Sequence, residues 1–290
     1  MPQPLAHHNG HILPLHDVML PALDRGFLFG DGIYEVLRVY AGRPWLEAEH
    51  WFRLEQSLAS LRIVGVDLND LRRRMHATIA AGPFREAIVY VQVTRGAAPR
   101  RRHAFPTATS PGELLWVEEF DDAPTAANRK AGVGVITQPD LRWQRCDIKS
   151  VNLLANVLAL QAAVERGESE ALLYLADGTL TEATHSSFFW VRAGALYSTP
   201  RVDNILPGIT RTTLTRLTER EGIPFHEEHL RGPDLFGVDE LLLTGTTSEV
   251  MPVVRVDGRA IGDGNPGPIA RRLQLAHDRI VREWLGCDNT

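Results

Sequence analysis

Cysteine is almost absent from the chain, and this scarcity limits the classes of protein to which it can belong. Only Cys146 and Cys287 occur in 290 residues, and neither lies in a CxxC pair or at a metal-binding spacing from histidines. Two isolated cysteines exclude a disulfide framework and a cysteine-based zinc site. The sequence therefore predicts a protein of a reducing compartment, and we expect no metal cofactor.

Long apolar runs and an excess of basic charge are also missing. No stretch approaches the roughly 20 apolar residues that a membrane-spanning helix requires. Residues 1–8 lack the basic-then-apolar pattern of a secretory signal. The formal net charge of −5 gives no electrostatic reason to expect nucleic acid or an anionic membrane as a partner. We therefore expect a cytoplasmic protein.

Lysine is the scarcest charged residue. Lys130 and Lys149 are the only two among 31 basic residues, which leaves 29 arginines. An arginine guanidinium cannot carry out amine chemistry, whereas a neutral lysine amine can form a Schiff base with an aldehyde. Lys149 is therefore a candidate for such chemistry. The alternative is a genome that favours arginine codons, in which two lysines remain by chance.

Length and composition indicate two domains. The chain of 290 residues exceeds the usual domain length of about 150 residues. Residues 121–130 are small, polar and interrupted by Pro124, which is typical of an interdomain linker. We predict a smaller N-terminal α/β domain over 1–120, a linker over 121–130 and a larger C-terminal domain over 131–290. Because the element order is too irregular for a doubly wound dinucleotide fold, the predicted fold class is α+β (α/β).

Hydrophobic periodicity predicts the main elements of both domains. Helices are expected over residues 47–61, 68–81, 152–166, 210–221 and 268–284. Strands are expected over residues 32–40, 87–94, 133–137, 170–175, 179–182, 188–191, 195–197 and 240–244, with a further hairpin over 252–261.

Four groups of residues have the chemistry that an aldehyde cofactor with a phosphate requires beside a lysine. The carboxylate of Glu182 is suited to a pyridine nitrogen, unless it is a surface glutamate of a strand. Residues 207–211 open a helix whose free N–H groups suit a phosphate, and residues 244–249 supply hydroxyls, although both are also ordinary capped turns. Arg53 lies on an apolar helical segment and needs an anion, either a carboxylate in a buried pair or a phosphate.

Five segments carry a resemblance to a known family. They are residues 24–36 (DRGFLFGDGIYEV), 146–154 (CDIKSVNLL), 177–182 (DGTLTE), 205–211 (ILPGITR) and 246–250 (TTSEV). In this order they resemble the fold-type IV class of pyridoxal-phosphate enzymes, and most closely the D-amino acid aminotransferases. The resemblance extends from about Asp24 to Trp284. It implies a two-domain architecture with the cofactor in the cleft between the domains.

The same resemblance implies a role for each candidate residue. Lys149 is expected to form the Schiff base with pyridoxal 5′-phosphate and to move a proton, Glu182 to pair with the ring nitrogen, and Leu206 to pack against the ring. The phosphate is expected to be held by Arg53, Ile209 through its backbone, Thr210 and Thr246. The implied reaction moves an amino group from a D-amino acid, of the D-alanine or D-glutamate type, to a 2-oxo acid such as 2-oxoglutarate or pyruvate.

The loop over residues 94–106 distinguishes this chain from other members of the class. D-amino acid aminotransferases have an Arg-x-His unit that clamps the substrate carboxylate together with a tyrosine, and here Arg101, His103 and Tyr34 match it. The loop is one residue longer than the family pattern, so Arg100 is an alternative to Arg101. Because the family supplies this loop from the neighbouring subunit, we expect a homodimer. The resemblance also places Val36 and Thr247 at the substrate.

Other functions remain open at this point. L-branched-chain aminotransferases usually have Glu-Gly where this chain has Glu35-Val36 and lack the Arg-x-His loop, and aminodeoxychorismate lyases generally lack the loop as well. A non-catalytic protein that binds pyridoxal phosphate is an alternative of a different class. Two residues depart from the family pattern: His185 replaces a common serine, and Gly245 replaces a common hydroxyl residue.

Overall fold

The computed structural model describes residues 2–201 and 204–287. The chain divides into two compact units, the first made of residues 2–121 and 148–152 and the second of residues 122–147 and 153–287. The first boundary lies at the start of the segment expected to be a linker. That segment contains helix α4 (Ala123–Ala131), which has Pro124 in its first turn. Proline suits the first turn of a helix, and alanine, arginine and lysine favour helix, so a linker-like composition here encodes a helix.

The first unit is built on a six-stranded antiparallel sheet. Its strands are β1 (Leu5–His8), β2 (His11–Pro14), β3 (Gly32–Tyr40), β4 (Arg43–Pro44), β5 (Ala87–Thr94) and β6 (Gly112–Glu119), in the spatial order β2-β1-β6-β5-β3-β4. Its helices are α1 (Arg25–Phe29), α2 (Glu47–Leu61) and α3 (Leu68–Ala80), and residues Leu15–Asp17 form a 3₁₀ turn.

Alternation along β5 explains how this sheet forms a core. Ala87, Val89, Val91 and Val93 are completely buried, whereas the residues between them are only partly buried. Their inward face packs in one cluster with apolar residues of α2 and α3 and with Ile148. Each fully buried aliphatic side chain contributes roughly 1.5–3 kcal/mol to folding. Ile148 therefore ties the returning segment 148–152 to the first unit.

The second unit is built on a larger, mixed sheet. After α4 it contains β7 (Val133–Pro139), α5 (Leu154–Val164), β8 (Glu170–Tyr174), β9 (Leu180–Ala183), β10 (Ser187–Arg192), β11 (Ala195–Ser198), α6 (Ile209–Arg220), β12 (Phe225–Glu227), a 3₁₀ helix (Gly232–Gly237), β13 (Glu240–Gly245), β14 (Glu249–Val256), β15 (Arg259–Ala260) and α7 (Pro268–Leu285). The strand order is β12-β11-β10-β13-β14-β7-β8-β9, with β15 on β14. The pairs β11/β12, β14/β7 and β7/β8 are parallel.

Burial on both faces explains the strand sequences of this sheet. Strands β10 and β13 are almost continuously buried and accordingly read as apolar runs rather than as alternating patterns. The described residues of the second unit form one cluster around Trp190 and Leu241, another around Leu214 and Leu273 of α6 and α7, and a smaller one made of Ile136, Ala163 and Ala171. Within residues 2–201 and 204–287, no helix has the length and apolar character needed to cross a membrane.

Candidate active site

Lys149 lies on the segment that returns to the first unit and pairs with the start of β3. The N–H of Tyr34 donates to the carbonyl oxygen of Lys149 at 3.0 Å, and the N–H of Val151 donates to the carbonyl oxygen of Gly32 at 3.1 Å. The side chain of Lys149 is half-buried. Its Nζ lies 4.2 Å from the centroid of the Tyr34 ring, which is within cation–π distance. The predicted Schiff-base lysine and the predicted substrate tyrosine are therefore adjacent.

Arg53 forms a buried ion pair, the first of the two alternatives considered for it. Its Nε donates to Oε1 of Glu35 at 2.7 Å and its Nη2 donates to Oε2 at 2.8 Å. His50 Nδ1 also lies 2.7 Å from Oε2. Burial alone would raise the pKa of Glu35, but the charge and hydrogen bonds of Arg53, together with the hydrogen bond from His50, bring it to about 2. The network therefore holds Arg53 in a fixed orientation beneath β3.

His50 connects this network to the lysine. Burial lowers the pKa of His50, and the nearby positive charges of Arg53 and Lys149 lower it further against the opposing effect of Glu35. The ring therefore favours its neutral form, which can still donate one N–H to the Glu35 carboxylate. Sequence reasoning did not identify His50, although its position three residues before Arg53 places both on one helical face.

An aromatic stack continues from the tyrosine. The rings of Tyr34 and Tyr90 stack with centroids 5.6 Å apart, and Tyr90 stacks on Trp116 at 3.9 Å. Burial raises the pKa of Tyr90, with a smaller contribution from Tyr34. The stack spans β3, β5 and β6. Tyr90 lies directly opposite Trp116 in the register of the antiparallel sheet, and Tyr34 lies diagonally across from Tyr90, whose register partner on β3 is Val36. Val36 is half-buried two positions beyond Tyr34 on the same face of β3.

The loop side chains of the predicted carboxylate clamp are exposed. Arg100, Arg101 and His103 all lie in an irregular loop between β5 and β6. The Arg101 guanidinium carbon lies 4.9 Å from the centroid of Phe29, and the His103 ring meets Phe29 edge-on at 5.3 Å. Arg101 and His103, the two residues of the Arg-x-His unit, therefore both contact the ring of Phe29.

In the second unit, Glu182 lies on β9 and is almost completely buried. The N–H of Leu206 donates to both of its oxygens, at 3.2 and 3.3 Å, and Nη1 of Arg142 donates to Oε1. Burial raises the pKa of Glu182, although Arg142 and Leu206 oppose this effect. Glu182 is therefore an interior carboxylate beside Leu206, not a surface glutamate.

Arg142 is itself held by a second acid. Its Nε and Nη2 donate to the two oxygens of Asp140 at 2.9 and 2.7 Å, and the hydroxyl of Thr181 donates to Asp140 at 2.8 Å. Burial alone would raise the pKa of Asp140, but these contacts, above all with Arg142, lower it. A chain of Asp140, Arg142 and Glu182 results. Sequence reasoning did not assign a role to Arg142 or Asp140.

The start of α6 forms a cradle of backbone N–H groups. Its first residues, Ile209 and Thr210, follow Gly208, and in the described part of the chain no side chain caps this end. Its first N–H groups therefore remain available as donors. A Cβ atom on Gly208 would lie only 2.7 Å from Oγ of Ser187. Glycine thus permits a close approach of the backbone to the neighbouring strand β10.

A second set of donors lies at the turn between β13 and β14. Within residues 2–201 and 204–287, the hydroxyls of Thr244 and Ser248 are buried and make no hydrogen bond. Thr246 and Thr247 are half-buried in the same turn, and the carbonyl of Thr247 accepts from Nη1 of Arg129 at 3.5 Å. Buried hydroxyls without protein partners suit a polar ligand. The donors of this turn and the cradle at α6 therefore fit the cofactor that the family resemblance implies, a pyridine ring with a phosphate.

The two departures from the family pattern have local explanations. His185 Nδ1 lies 2.7 Å from Oε2 of buried Glu170, whose other oxygen accepts from Thr184. His185 is therefore engaged with Glu170, the first residue of β8. At Gly245, a Cβ atom would lie 2.7 Å from Oγ of Ser248. A larger residue at this position would require the Ser248 side chain to move.

The site residues thus form two sets, one in each unit. The first unit brings together Lys149, Tyr34, Val36 and Arg53, and holds Arg100, Arg101 and His103 on its loop. The second unit brings together Glu182, Leu206, Ile209 and Thr210, and carries Thr246 and Thr247 on the β13–β14 turn.

Known proteins share the sequence and the fold of this chain. Residues 32–256 match the model of the amino-transferase class IV family. The chain is 35% identical over 274 residues to the D-alanine aminotransferase of Staphylococcus haemolyticus, covering 94% of this chain and 96% of that one. It is 37% identical over 272 residues to the D-alanine aminotransferase of Bacillus licheniformis, with coverage of 92% and 94%. Among solved structures, the branched-chain amino acid aminotransferase of Escherichia coli superposes with a TM-score of 0.88 at 23% identity, covering 96% of this chain and 94% of that one.

Proposed function

Since the chain belongs to the class IV aminotransferases, we propose that it is a pyridoxal-phosphate-dependent transaminase that moves an amino group from a D-amino acid to a 2-oxo acid. D-Alanine or D-glutamate is the expected donor, and pyruvate or 2-oxoglutarate the expected acceptor. The two bacterial relatives named above, both D-alanine aminotransferases, support the choice of a D-amino acid.

One observation carries the proposal. Leu206 donates its N–H to the buried carboxylate of Glu182, and only three residues later Ile209 opens the uncapped helix α6. The short segment from Leu206 to Ile209 thus connects an interior acid to an anion cradle, and it carries the apolar side chain of Leu206. This order of groups suits a flat ring with a basic nitrogen at one end and a phosphate at the other.

The cofactor of this family supplies an aldehyde that binds an amine and a ring that withdraws electrons from the substrate Cα. Lys149 Nζ is the group we assign to the covalent link and to proton transfer at Cα. Glu182 would keep the ring nitrogen protonated, and Leu206 would pack against the ring. The phosphate would be held by the backbone of Ile209, by Thr210 and Thr246, and by Arg53 in the orientation that Glu35 fixes.

The substrate is assigned to the other predicted residues. Arg101 and His103 would bind the α-carboxylate together with the Tyr34 hydroxyl, because a guanidinium fork matches the geometry of a carboxylate. Arg100 is the alternative donor. Val36 and Thr247 would contact the substrate beside the cofactor.

A homodimer is part of the same proposal. Apolar side chains stay exposed along α5, with Leu154 at 72% and Leu158 at 63%, and near α1, with Met19 at 81% and Phe27 at 79%. Exposed apolar groups of this size favour burial against another protein surface. A second copy would bring its loop with Arg101 and His103 to the neighbouring site. A cytoplasmic location also remains a prediction, which the two free thiols support.

The decisive experiment is a half-reaction with paired enantiomers. The purified holoenzyme should be yellow, and D-alanine should change its absorbance much faster than L-alanine does. A faster response to L-leucine would favour a branched-chain enzyme, and pyruvate formation from aminodeoxychorismate would favour a lyase. Colour without a response to any amino acid would favour a non-catalytic binding protein. Light scattering of the same sample would measure the oligomeric state.

A further inference from the structure

Arg25 is a buried arginine whose guanidinium reaches the exposed loop that carries Arg101 and His103. It is 4% exposed and begins helix α1. Its Nη1 donates to the carbonyl oxygen of Arg102 at 2.6 Å and to that of Ala104 at 3.4 Å. Its Nη2 donates to the carbonyl oxygen of His103 at 3.0 Å. One side chain therefore binds three successive backbone carbonyls.

These bonds are the main backbone restraint on the loop. In the part of the chain that the structure describes, residues 100–106 form no hydrogen bond between backbone groups. A loop of this kind would lose considerable conformational entropy on adopting one geometry. Bonds from a charged donor to carbonyl oxygens are stronger than those between neutral groups. The hydrogen bonds from Arg25 therefore offset much of the conformational entropy that the loop loses when it adopts one geometry.

Asp31 orients Arg25. Its Oδ2 accepts from Nε of Arg25 at 2.7 Å, and its two oxygens accept from Arg95 at 2.8 and 2.9 Å. Burial alone would raise the pKa of Asp31, but the two arginines lower it. Because Asp31 binds Arg25 through Nε, both Nη atoms remain directed at the loop.

Arg95 connects Asp31 to the end of helix α2. Its guanidinium donates to the carbonyl oxygens of Leu61 and Arg62, at 2.7 and 3.0 Å, where α2 ends. Its Cζ also lies 3.6 Å from the centroid of Phe105 in the loop. The loop is thus connected through Arg95 and Asp31 to the packed body of the first unit.

We propose that Arg25, oriented by Asp31, is a positioning residue that presents Arg101 and His103 to the α-carboxylate of the substrate. The inference rests on the proposed function, because it assigns a purpose to the loop that binds the carboxylate. Arg25 acts through the backbone carbonyls of residues 102–104, which directly follow Arg101 and include that of His103. Preorganised groups bind an anion better than mobile ones, since their ordering cost is met during folding.

The test compares substrates with and without a carboxylate. Holoenzyme variants Arg25→Gln and Asp31→Asn would be assayed in the half-reaction with D-alanine and with D-alaninol, in which a hydroxymethyl group replaces the carboxylate. We expect the apparent KM for D-alanine to rise about tenfold to a hundredfold, while kcat/KM for D-alaninol stays within about twofold. Arg73→Gln, which removes an exposed arginine paired with Asp70, is the matched control and should change neither value.

A double variant separates positioning from folding. Arg25→Gln combined with Arg101→Ala should raise the KM for D-alanine no further than Arg101→Ala alone, because both changes disable the same clamp. Equal losses for D-alanine and D-alaninol, or additive effects in the double variant, would overturn the inference. Should Arg25→Gln fold poorly, Arg25→Lys takes its place under the same criteria. This variant keeps the charge but lacks the guanidinium fork that binds the three carbonyls. A wild-type holoenzyme that does not respond to D-alanine would instead contradict the proposed function.

Discussion

Arg53 donates hydrogen bonds to both oxygens of Glu35, with Nε–Oε1 at 2.7 Å and Nη2–Oε2 at 2.8 Å. The pair is buried, and loss of either partner would leave an uncompensated interior charge. The arginine proposed to hold a phosphate therefore has a fixed direction before any ligand binds. Glu35, which sequence reasoning used only to distinguish relatives, is the residue that sets this direction.

The Glu35 pair predicts a loss of stability in acid. The pKa of Glu35 is about 2 in the folded chain, against an ordinary value of 4.5. A carboxyl group with a lowered folded pKa stabilises the fold above pH 4.5, and this contribution is lost as the pH falls toward 2. The free energy of unfolding, measured in denaturant at pH 6 and at pH 3, should fall in the wild type. Glu35→Gln should cost about 3–5 kcal/mol at pH 6 and show a smaller further loss at pH 3; an equal loss in both proteins would contradict the assignment.

The two lysines provide an internal comparison. Lys149→Ala should lower turnover by several orders of magnitude and remove the yellow colour of the covalently bound cofactor, because no other amine replaces it. Lys130→Ala, in α4 of the other unit, should keep both colour and rate. Full activity of Lys149→Ala in a stopped-flow assay would refute the proposed function.

Replacement of Glu182 tests the role of the interior acid. Glu182→Gln keeps the shape and the acceptor for Leu206 but removes the charge, so the ring nitrogen would lose its anionic partner. Turnover should fall by roughly a hundredfold or more, and the absorbance maximum of the holoenzyme should shift. The exposed Glu228, which lies 3.8 Å from Arg192, gives the control variant Glu228→Gln, for which no change is expected.

The arginine loop predicts a difference between two neighbours. Arg101→Ala should raise the KM for D-alanine by about tenfold to a hundredfold with little change in cofactor affinity, since the carboxylate loses a charged donor. Arg100→Ala should have a small effect, because Arg101, not Arg100, lies against Phe29 with His103. Steady-state kinetics of the two single variants decide between them, and the reverse order would transfer the role to Arg100.

The cradle at α6 predicts a cost for a single methyl group. Gly208→Ala would place a Cβ atom 2.7 Å from Oγ of Ser187 and 3.1 Å from Cβ of Arg211, so the start of the helix must shift. The dissociation constant of pyridoxal phosphate should rise by about tenfold or more, as expected when an anion loses aligned backbone donors. Gly237→Ala is the control, since nothing lies within 4 Å of its added Cβ. Equal cofactor affinities in a fluorescence titration would remove α6 from the phosphate site.

The fold was predictable where periodicity is strong and flanking signals are clear. Helix α2 begins at Glu47 and ends at Leu61 as predicted, and β3 and β5 also match. The helix expected over 152–166 is shorter, Leu154–Val164, because helix ends are not fixed by periodicity. Strands β1, β2 and β6 and the five-residue helix α1 were not predicted. Short elements depend on pairing with distant strands, as β1 does with β6, and such pairing leaves little local signal.

The candidate site was predictable as residue types but not as a network. Lys149 was singled out by the scarcity of lysine and Glu182 by the chemistry of its carboxylate, and the family resemblance implied a role for each. The partners Asp140 and Arg142 lie about 40 residues from Glu182 along the chain, and only the packing of the sheet brings them together. The Arg25 contact with the loop spans 77 residues or more, so no spacing rule reveals it.

The return of residues 148–152 to the first unit constrains how the chain acquires its structure during synthesis. Ile148 completes a hydrophobic core otherwise made from residues before 122. A nascent chain that has left the ribosome only as far as Asp121 therefore lacks part of that core and an edge partner for β3. The first unit therefore cannot complete its core until residues 148–152 have been synthesised. Expression of either half of the chain by itself would separate residues that pack together in the full-length protein.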